Sequence, residues 1–376
     1  MNQYPNYKPG FLEKWGRSVL YKINRSRISK NKSSIENFSE HSTKIIRISV
    51  CLSFCIGFIP SFLFVALSHF IPKIDHIFSY QAILPVVVTT LLIGIFTYIE
   101  FYLLFLTGLY QAFYMAESAN LELSEEPELI TPVPGLLARI ALEIPDPELR
   151  LFGINPYKRL NRKKIFIKTL LYKIKVMISN LFAKIILKAI FGRTGLRIYI
   201  EYIAAPITGL WDAYVTYKIL HELRMRIISR KIAEKILIYI EQNQNQFSPK
   251  GKECLMRAIA NSIVFTKTFH PNFEYLLLKL VKVFNIPFDM NEMDEPDQFI
   301  NSLKFCAEGE KRLAIVIFLI GSCFDGTMTK EEWDMFPKFS FISDLEQMLS
   351  KTKFLLKSIR NGKLLDSIRI TEEMLG

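Results

Sequence analysis

From Ile48 to Pro72 the chain carries no formally charged residue, only His69 near the far end of the run. A helix needs about 20 apolar residues to cross the hydrocarbon of a bilayer. This run is long enough, and a buried helix of a soluble protein would be neither so long nor so apolar all round. A short polar break follows, Pro72-Lys73-Ile74-Asp75-His76, and a second charge-free run extends from Ile77 to Ile99. Glu100 interrupts it, and apolar sequence resumes from Phe101 to Ala116. The pattern predicts a transmembrane helical hairpin over 48–116. Pro60 is tolerated as a kink, and the second helix continues past the bilayer as a stalk, with Tyr98, Tyr102, Tyr110 and Tyr114 near the headgroups.

Charge sets the orientation. Residues 1–47 hold ten Lys/Arg against three Glu, whereas the connecting turn has only Lys73 and Asp75. Basic flanks stay inside, which predicts both termini in the cytoplasm and a multi-pass protein of a bacterial inner membrane. No cleavable signal peptide is expected, because the first apolar run starts only near Ile48 and no small-residue cleavage pattern follows it. The five cysteines have neither disulfide nor zinc spacing, which fits a reducing compartment for the soluble part.

Composition then changes along the chain. Glu117, Glu122, Glu125, Glu126 and Glu128 precede Pro132 and Pro134, and Ile144-Pro145-Asp146-Pro147-Glu148 follows. Prolines at this density break helices, so 117–150 reads as an acidic, Pro-rich linker with one short helix. Residues 151–241 are strongly basic: between 151 and 240 eighteen Lys/Arg face four acids, Glu201, Asp212, Glu222 and Glu234. Apolar residues are interleaved at helical spacing. The expectation is a set of basic amphipathic helices apposed to the anionic inner leaflet, with Lys163, Lys164, Lys168 and Lys173 at the lipid surface, each contributing about 1 kcal/mol there. A second inserted pair, near 165–192 and 198–219, competes with it. Against full spanning, the longest charge-free window in that region, Tyr202 to Trp211, is half of what a span needs. Pro206 and Gly209 leave a re-entrant half-helix open. Nucleic acid is not expected as a partner, since no helix-turn-helix, zinc-finger or RNP-type pattern is present.

Three acids are candidates for an ion path within the membrane: Glu100, Glu201 and Asp212. A charge at the bilayer centre is costly and marks function when it occurs. Counting from the outer end puts Glu100 in the inner half of the second helix, where an interfacial or stalk role competes with transport. Arg197, four residues before Glu201, suits an ordinary intrahelical ion pair.

From 242 to 376 bases and acids nearly balance, and apolar positions recur at helical spacing in Leu255-Met256-Ile259-Ile263 and Leu276-Leu277-Leu280-Val281-Phe284. Strand alternation is absent. A separate, soluble helical bundle that folds by itself is expected, and the whole chain is read as all-α. One motif stands out, Phe324-Asp325-Gly326-Thr327-Met328-Thr329-Lys330-Glu331-Glu332-Trp333. As half of an EF-hand loop it would use Asp325 and Glu332, but Gly321 and Cys323 then stand where side-chain oxygens are needed. As a helix corner, Asp325-Gly326 makes the turn and Thr329 with Glu332 forms a capping box. The cap is favoured, with Asp325 and Glu332 kept as weak metal candidates. A shift of 59 residues aligns Val264–Asn272 with Cys323–Glu331 and suggests two helical halves in tandem.

Leu313-Ala314-Ile315-Val316-Ile317-Phe318-Leu319-Ile320, followed by Phe324-Asp325-Gly326 and Thr329-Lys330-Glu331-Glu332, resembles the core of a tellurite-resistance TerB-like helical domain across about 245–345. That resemblance implies a duplicated unit of apolar helix, acidic-Gly turn and acidic helix start. The chain departs from it at Thr266-Lys267, where the first copy should have its acidic-Gly turn, so a family metal site does not carry over. Ile144-Pro145-Asp146-Pro147-Glu148-Leu149-Arg150 and Gly192-Arg193-Thr194-Gly195-Leu196-Arg197 also resemble a family of uncharacterised bacterial membrane proteins, which implies no activity.

The sequence contains no P-loop, dinucleotide fingerprint, HExxH or glycine-flanked serine elbow. His221 and His270 stand alone. No enzyme and no cofactor are expected. The expected function is a membrane-anchored interaction or scaffold protein, with anionic lipids and a protein partner or second copy as its contacts. The alternative is a small-solute or ion transporter component that uses the acids named above.

Overall fold

The computed structural model describes residues 7–26, 35–68, 70, 83–124, 126, 129–146, 154–155, 197–267, 270–285 and 293–376. Of Ser68, 83–86 and 197–204 it describes the backbone alone. Among the described residues there are twelve α-helices and no strand. They are α1 (Phe11–Ser26), α2 (Phe38–Ser68), α3 (Ile83–Ser118), α4 (Val133–Ala141), α5 (Arg197–Gln242), α6 (Pro249–Thr266), α7 (Pro271–Phe284), α8 (Pro296–Leu303), α9 (Glu308–Gly321), α10 (Lys330–Trp333), α11 (Leu345–Arg360) and α12 (Leu364–Leu375). The all-α reading holds. Lys163, Lys164, Lys168 and Lys173 lie outside the described residues.

The helices form a stem and a body. α2 and α3 are both long and apolar enough to cross a membrane, and they pack on each other. The third helix of the stem is the first half of α5, which runs unbroken for 46 residues, about 69 Å at 1.5 Å per residue. It pairs with α2 in antiparallel sense: Arg224 reaches Thr43, Thr216 bonds Ser53, and Asp212 lies against Gly57. Continuing that register brings the first turn of α5 beside Ser68. Residues 197–219 therefore run along α2. The cause is local. Gly57 and Gly209 let the two backbones approach so closely that a Cβ on Gly209 would fall 2.7 Å from the Phe54 carbonyl oxygen. Gly57 lies against the Gly209 backbone, and the small residues at helical spacing on α2 (Ser49, Ser53, Gly57) and on α5 (Ala205, Gly209, Ala213) are the composition that lets helices pack without a hydrophobic drive.

The body holds the core. The second half of α5 is its axis: Leu220, Leu223, Ile227, Ile228, Ile232, Ile236 and Ile240 are fully buried, against α3, α4, α7, α11 and α12. The boundary expected at 242 coincides with the end of α5, yet one hydrophobic core runs across it from Leu20 to Leu375. Phe318 anchors the C-terminal part, with Phe265, Phe299 and Phe339 rings 5.7–5.9 Å away.

The 59-residue offset reappears as geometry. α6 and α9 pack side by side in parallel sense, with Gly251 against Glu310 and Ser262 against Gly321. Both pairs are related by that offset. Lys267 and Gly326, another such pair, both take left-handed backbone (φ 56° and 72°). His270 and Thr329 then cap the next helix with their side chains. Glu310 ties the two halves: it accepts from the Ser248 and Ala307 amides, at 2.6 and 3.1 Å, and so caps α6 and α9 together.

Candidate functional site

Two carboxylates sit inside the stem. Glu100 on α3 is 1% exposed and Asp212 on α5 is 2% exposed. Glu100 faces inward, while its neighbours Tyr98, Ile99, Tyr102 and Leu103 face outward. Asp212 owes its position to Gly57, since any side chain at 57 would occupy the space of its carboxylate. One helical turn on, the Thr216 hydroxyl donates to Ser53 Oγ at 2.8 Å. Polar groups thus line the seam between α2 and α5, and apolar residues cover its outside. Glu201 falls on the first turns of α5, where only the backbone is described.

At the junction of stem and body the seam turns cationic. Arg224 donates to Thr43 Oγ1 at 3.4 Å and to the Arg360 carbonyl at 3.3 Å. It thereby clamps α2, α5 and the end of α11 together. Burial and the Arg224 charge push His221 below its ordinary pKa.

Below the junction, buried carboxylates hold segments rather than offer themselves to ligands. Glu274 on α7 accepts from the amides of Ile130 and Thr131 and from the Thr131 hydroxyl, at 2.5–3.0 Å. It straps the segment before α4 to the body, although burial pushes its pKa up. Glu13 on α1 and Arg139 on α4 pair at 2.8 Å, both nearly sealed from solvent. Tyr7 donates to Glu13 at 2.6 Å, and its phenol is pushed up to about 12 by burial and that bond. His270 is held well below its ordinary pKa by burial and by Arg226. Its neutral ring accepts from the Asn272 amide.

The corner at Asp325 and Glu332 is a cap. Glu332 accepts from the Thr329 amide at 2.5 Å, and Thr329 Oγ1 accepts from the Glu332 amide at 3.2 Å. Asp325 accepts from the Thr327 amide at 2.7 Å. Both acids serve the chain's own backbone. Among the described residues no group of three or more His, Cys, Asp or Glu side chains is arranged to hold a metal.

The structure therefore brings Glu100 and Asp212 into one stem and sets Asp325 and Glu332 apart in the body. Sequence reasoning missed α1 and its Glu13–Arg139 anchor. The signal was there, in Gly16, Leu20 and Ile23 at helical spacing, but it was masked by the lysines and arginines among them. No family model, curated protein or solved structure matches the chain, so the TerB-like resemblance rests on the residues quoted for it alone.

Proposed function

We propose that this chain is a membrane-anchored interaction protein, its stem embedded in a bacterial inner membrane and its body in the cytoplasm. The observation that carries this reading is α5. One rigid helix runs from the outer end of the stem to the centre of the body, so the body is fixed to its anchor and not tethered by a linker. Three further features support it. The stem's outward face is apolar (Ile48, Ile59, Leu91, Ile95, Leu210). The first cation on α5 after Arg197 is Lys218, about one helical turn from the level of Arg47 on α2 in the register set by Thr216 and Ser53. The body in turn exposes Phe305, Phe341 and Phe354, apolar side chains of the kind that anchor protein contacts. Anionic lipids are proposed as contacts of the basic middle, including Lys163, Lys164, Lys168 and Lys173.

The test is light cross-linking in the native membrane, followed by isolation of the full chain in lipid nanodiscs. A second protein or a second copy should join the body in constant ratio and be lost when Phe305, Phe341 and Phe354 are replaced by Ser. A chain that is alone under these conditions overturns the proposal.

The burial of Glu100 and Asp212 favours one second reading, an ion or proton path through the stem. It expects flux in liposomes that Glu100→Gln and Asp212→Asn abolish. A wild-type chain that passes no ion ends it.

A further inference from the structure

α1 is mounted on the body by one face and leaves the other bare. Glu13, Gly16, Leu20 and Ile23 are buried. Gly16 is pressed so closely on Ala138 and Leu142 of the α4 segment that a Cβ would clash, and Glu13 is locked to Arg139. The helix is therefore held in place, and its exposed side chains are presented in a fixed direction. The large apolar ones among them are Phe11, 83% exposed, and Leu12, 45% exposed.

This bare apolar end continues a surface that is already apolar. Trp15 lies 6.3 Å from the Tyr102 ring of α3, and Tyr102 stacks on Tyr98 at 6.2 Å. Tyr98, Ile99, Tyr102 and Leu103 are exposed on the outward face of the stem. An aromatic strip therefore runs from Phe11 and Leu12 through Trp15 onto α3. Lys8, Lys14, Lys22 and Arg25 are exposed along the same segment. Aromatic rings whose apolar body meets hydrocarbon and whose polar tip meets water collect at the headgroup level. An amphipathic helix with Phe, Leu and Trp on one face and lysines beside them lies in the plane of an anionic interface.

We propose that α1 is an interfacial helix, with Phe11 and Leu12 dipping into the acyl boundary of an anionic phospholipid leaflet and Trp15 and Tyr102 lying among the headgroups. The occupant of the face is the lipid surface, argued from the cations beside it and from its continuity with the stem. The proposal rests on the reading that the stem is embedded. Its consequence is mechanical: a second, rigid attachment beside the stem fixes the tilt of the body against the membrane.

Tryptophan quenching tests it on the full chain, reconstituted in vesicles of phosphatidylcholine and phosphatidylglycerol. Trp211 lies on α5 beside Asp212, deep in the stem, and serves as the internal reference. In W211F/W333F, Trp15 should be quenched by lipid brominated near the headgroup end of the acyl chain and little by lipid brominated near its methyl end. In W15F/W333F, Trp211 should show the reverse preference. Adding F11S/L12S to the Trp15 reporter should remove most of its quenching and shift its emission to the red, with Trp211 unchanged in the matching background. Quenching of Trp211 without any quenching of Trp15 overturns the α1 proposal and leaves the embedded stem standing; a second copy covering this face would give that result. Quenching of neither residue overturns both.

Discussion

Glu332 closes a capping box, a job for a carboxylate, yet it is fully buried. Burial, aided by the nearby Asp325, pushes its pKa up to about 7 although the Thr329 bonds act the other way. A carboxyl whose folded value is raised binds its proton more tightly in the folded protein than in the unfolded one. Its contribution is therefore fully present below the unfolded value near 4.5 and is lost as pH rises through about 7. The full shift corresponds to at most about 3 kcal/mol. Glu332→Gln keeps the acceptor for the Thr329 amide and removes the titration. The melting midpoint of wild type relative to this variant should fall between about pH 4.5 and pH 7, the window set by those two values. Parallel melting profiles for the two proteins across that range would exclude the effect. The cap itself was legible in the sequence, because Thr329 and Glu332 three residues apart carry their own partners. The burial was not, since it depends on packing against α6, which ends more than 60 residues earlier in the chain.

Among the elements, α5 was the hardest to read. Glu201, Asp212 and Lys218 keep its first half below the apolar content of a span, and Pro206 and Gly209 look like breakers. In the structure Pro206 lies inside an unbroken helix. Gly209 is small because Phe54 stands against it, a reason that exists only once α2 is in place. The hairpin of α2 and α3 was legible because length and apolarity are local properties, whereas the pairing of α2 with α5 joins segments more than 150 residues apart. If close approach is what holds the seam, Gly209→Leu should separate the helices. Overpacking of this kind costs about 1–3 kcal/mol, and a clash with backbone belongs at the upper end. Thermal melting of the nanodisc-embedded variant should drop accordingly, and cross-linking between cysteines placed at Ser53 and Thr216 should fall. Unchanged cross-linking would mean that the seam is not set by these glycines.

At the scale of the whole molecule, the sequence divides at 242, where composition turns ordinary, but the core does not. The balance of charge after 242 reports a solvated surface and says nothing of what fills the interior. Seven Leu and Ile side chains of α5 between Leu220 and Ile240 are fully buried in the body. Arg230 stands over the Tyr275 ring at 3.3 Å, and Ser229 donates to the Phe324 carbonyl at 2.9 Å. At roughly 1.5–3 kcal/mol for each large apolar side chain buried, those seven contribute as much as the ~5–15 kcal/mol that holds a typical domain together. A fragment of residues 242–376 should therefore bare the groove that α5 fills, and aggregate or bind hydrophobic dyes. Extension to 218–376 restores the axis without the apolar stem, and should raise solubility and helical content and give a cooperative melt. Light scattering, circular dichroism and dye binding on the two fragments decide the matter. A monomeric, cooperatively folded 242–376 would place the boundary where composition puts it, and α5 would then be an arm laid on a finished domain and not its centre.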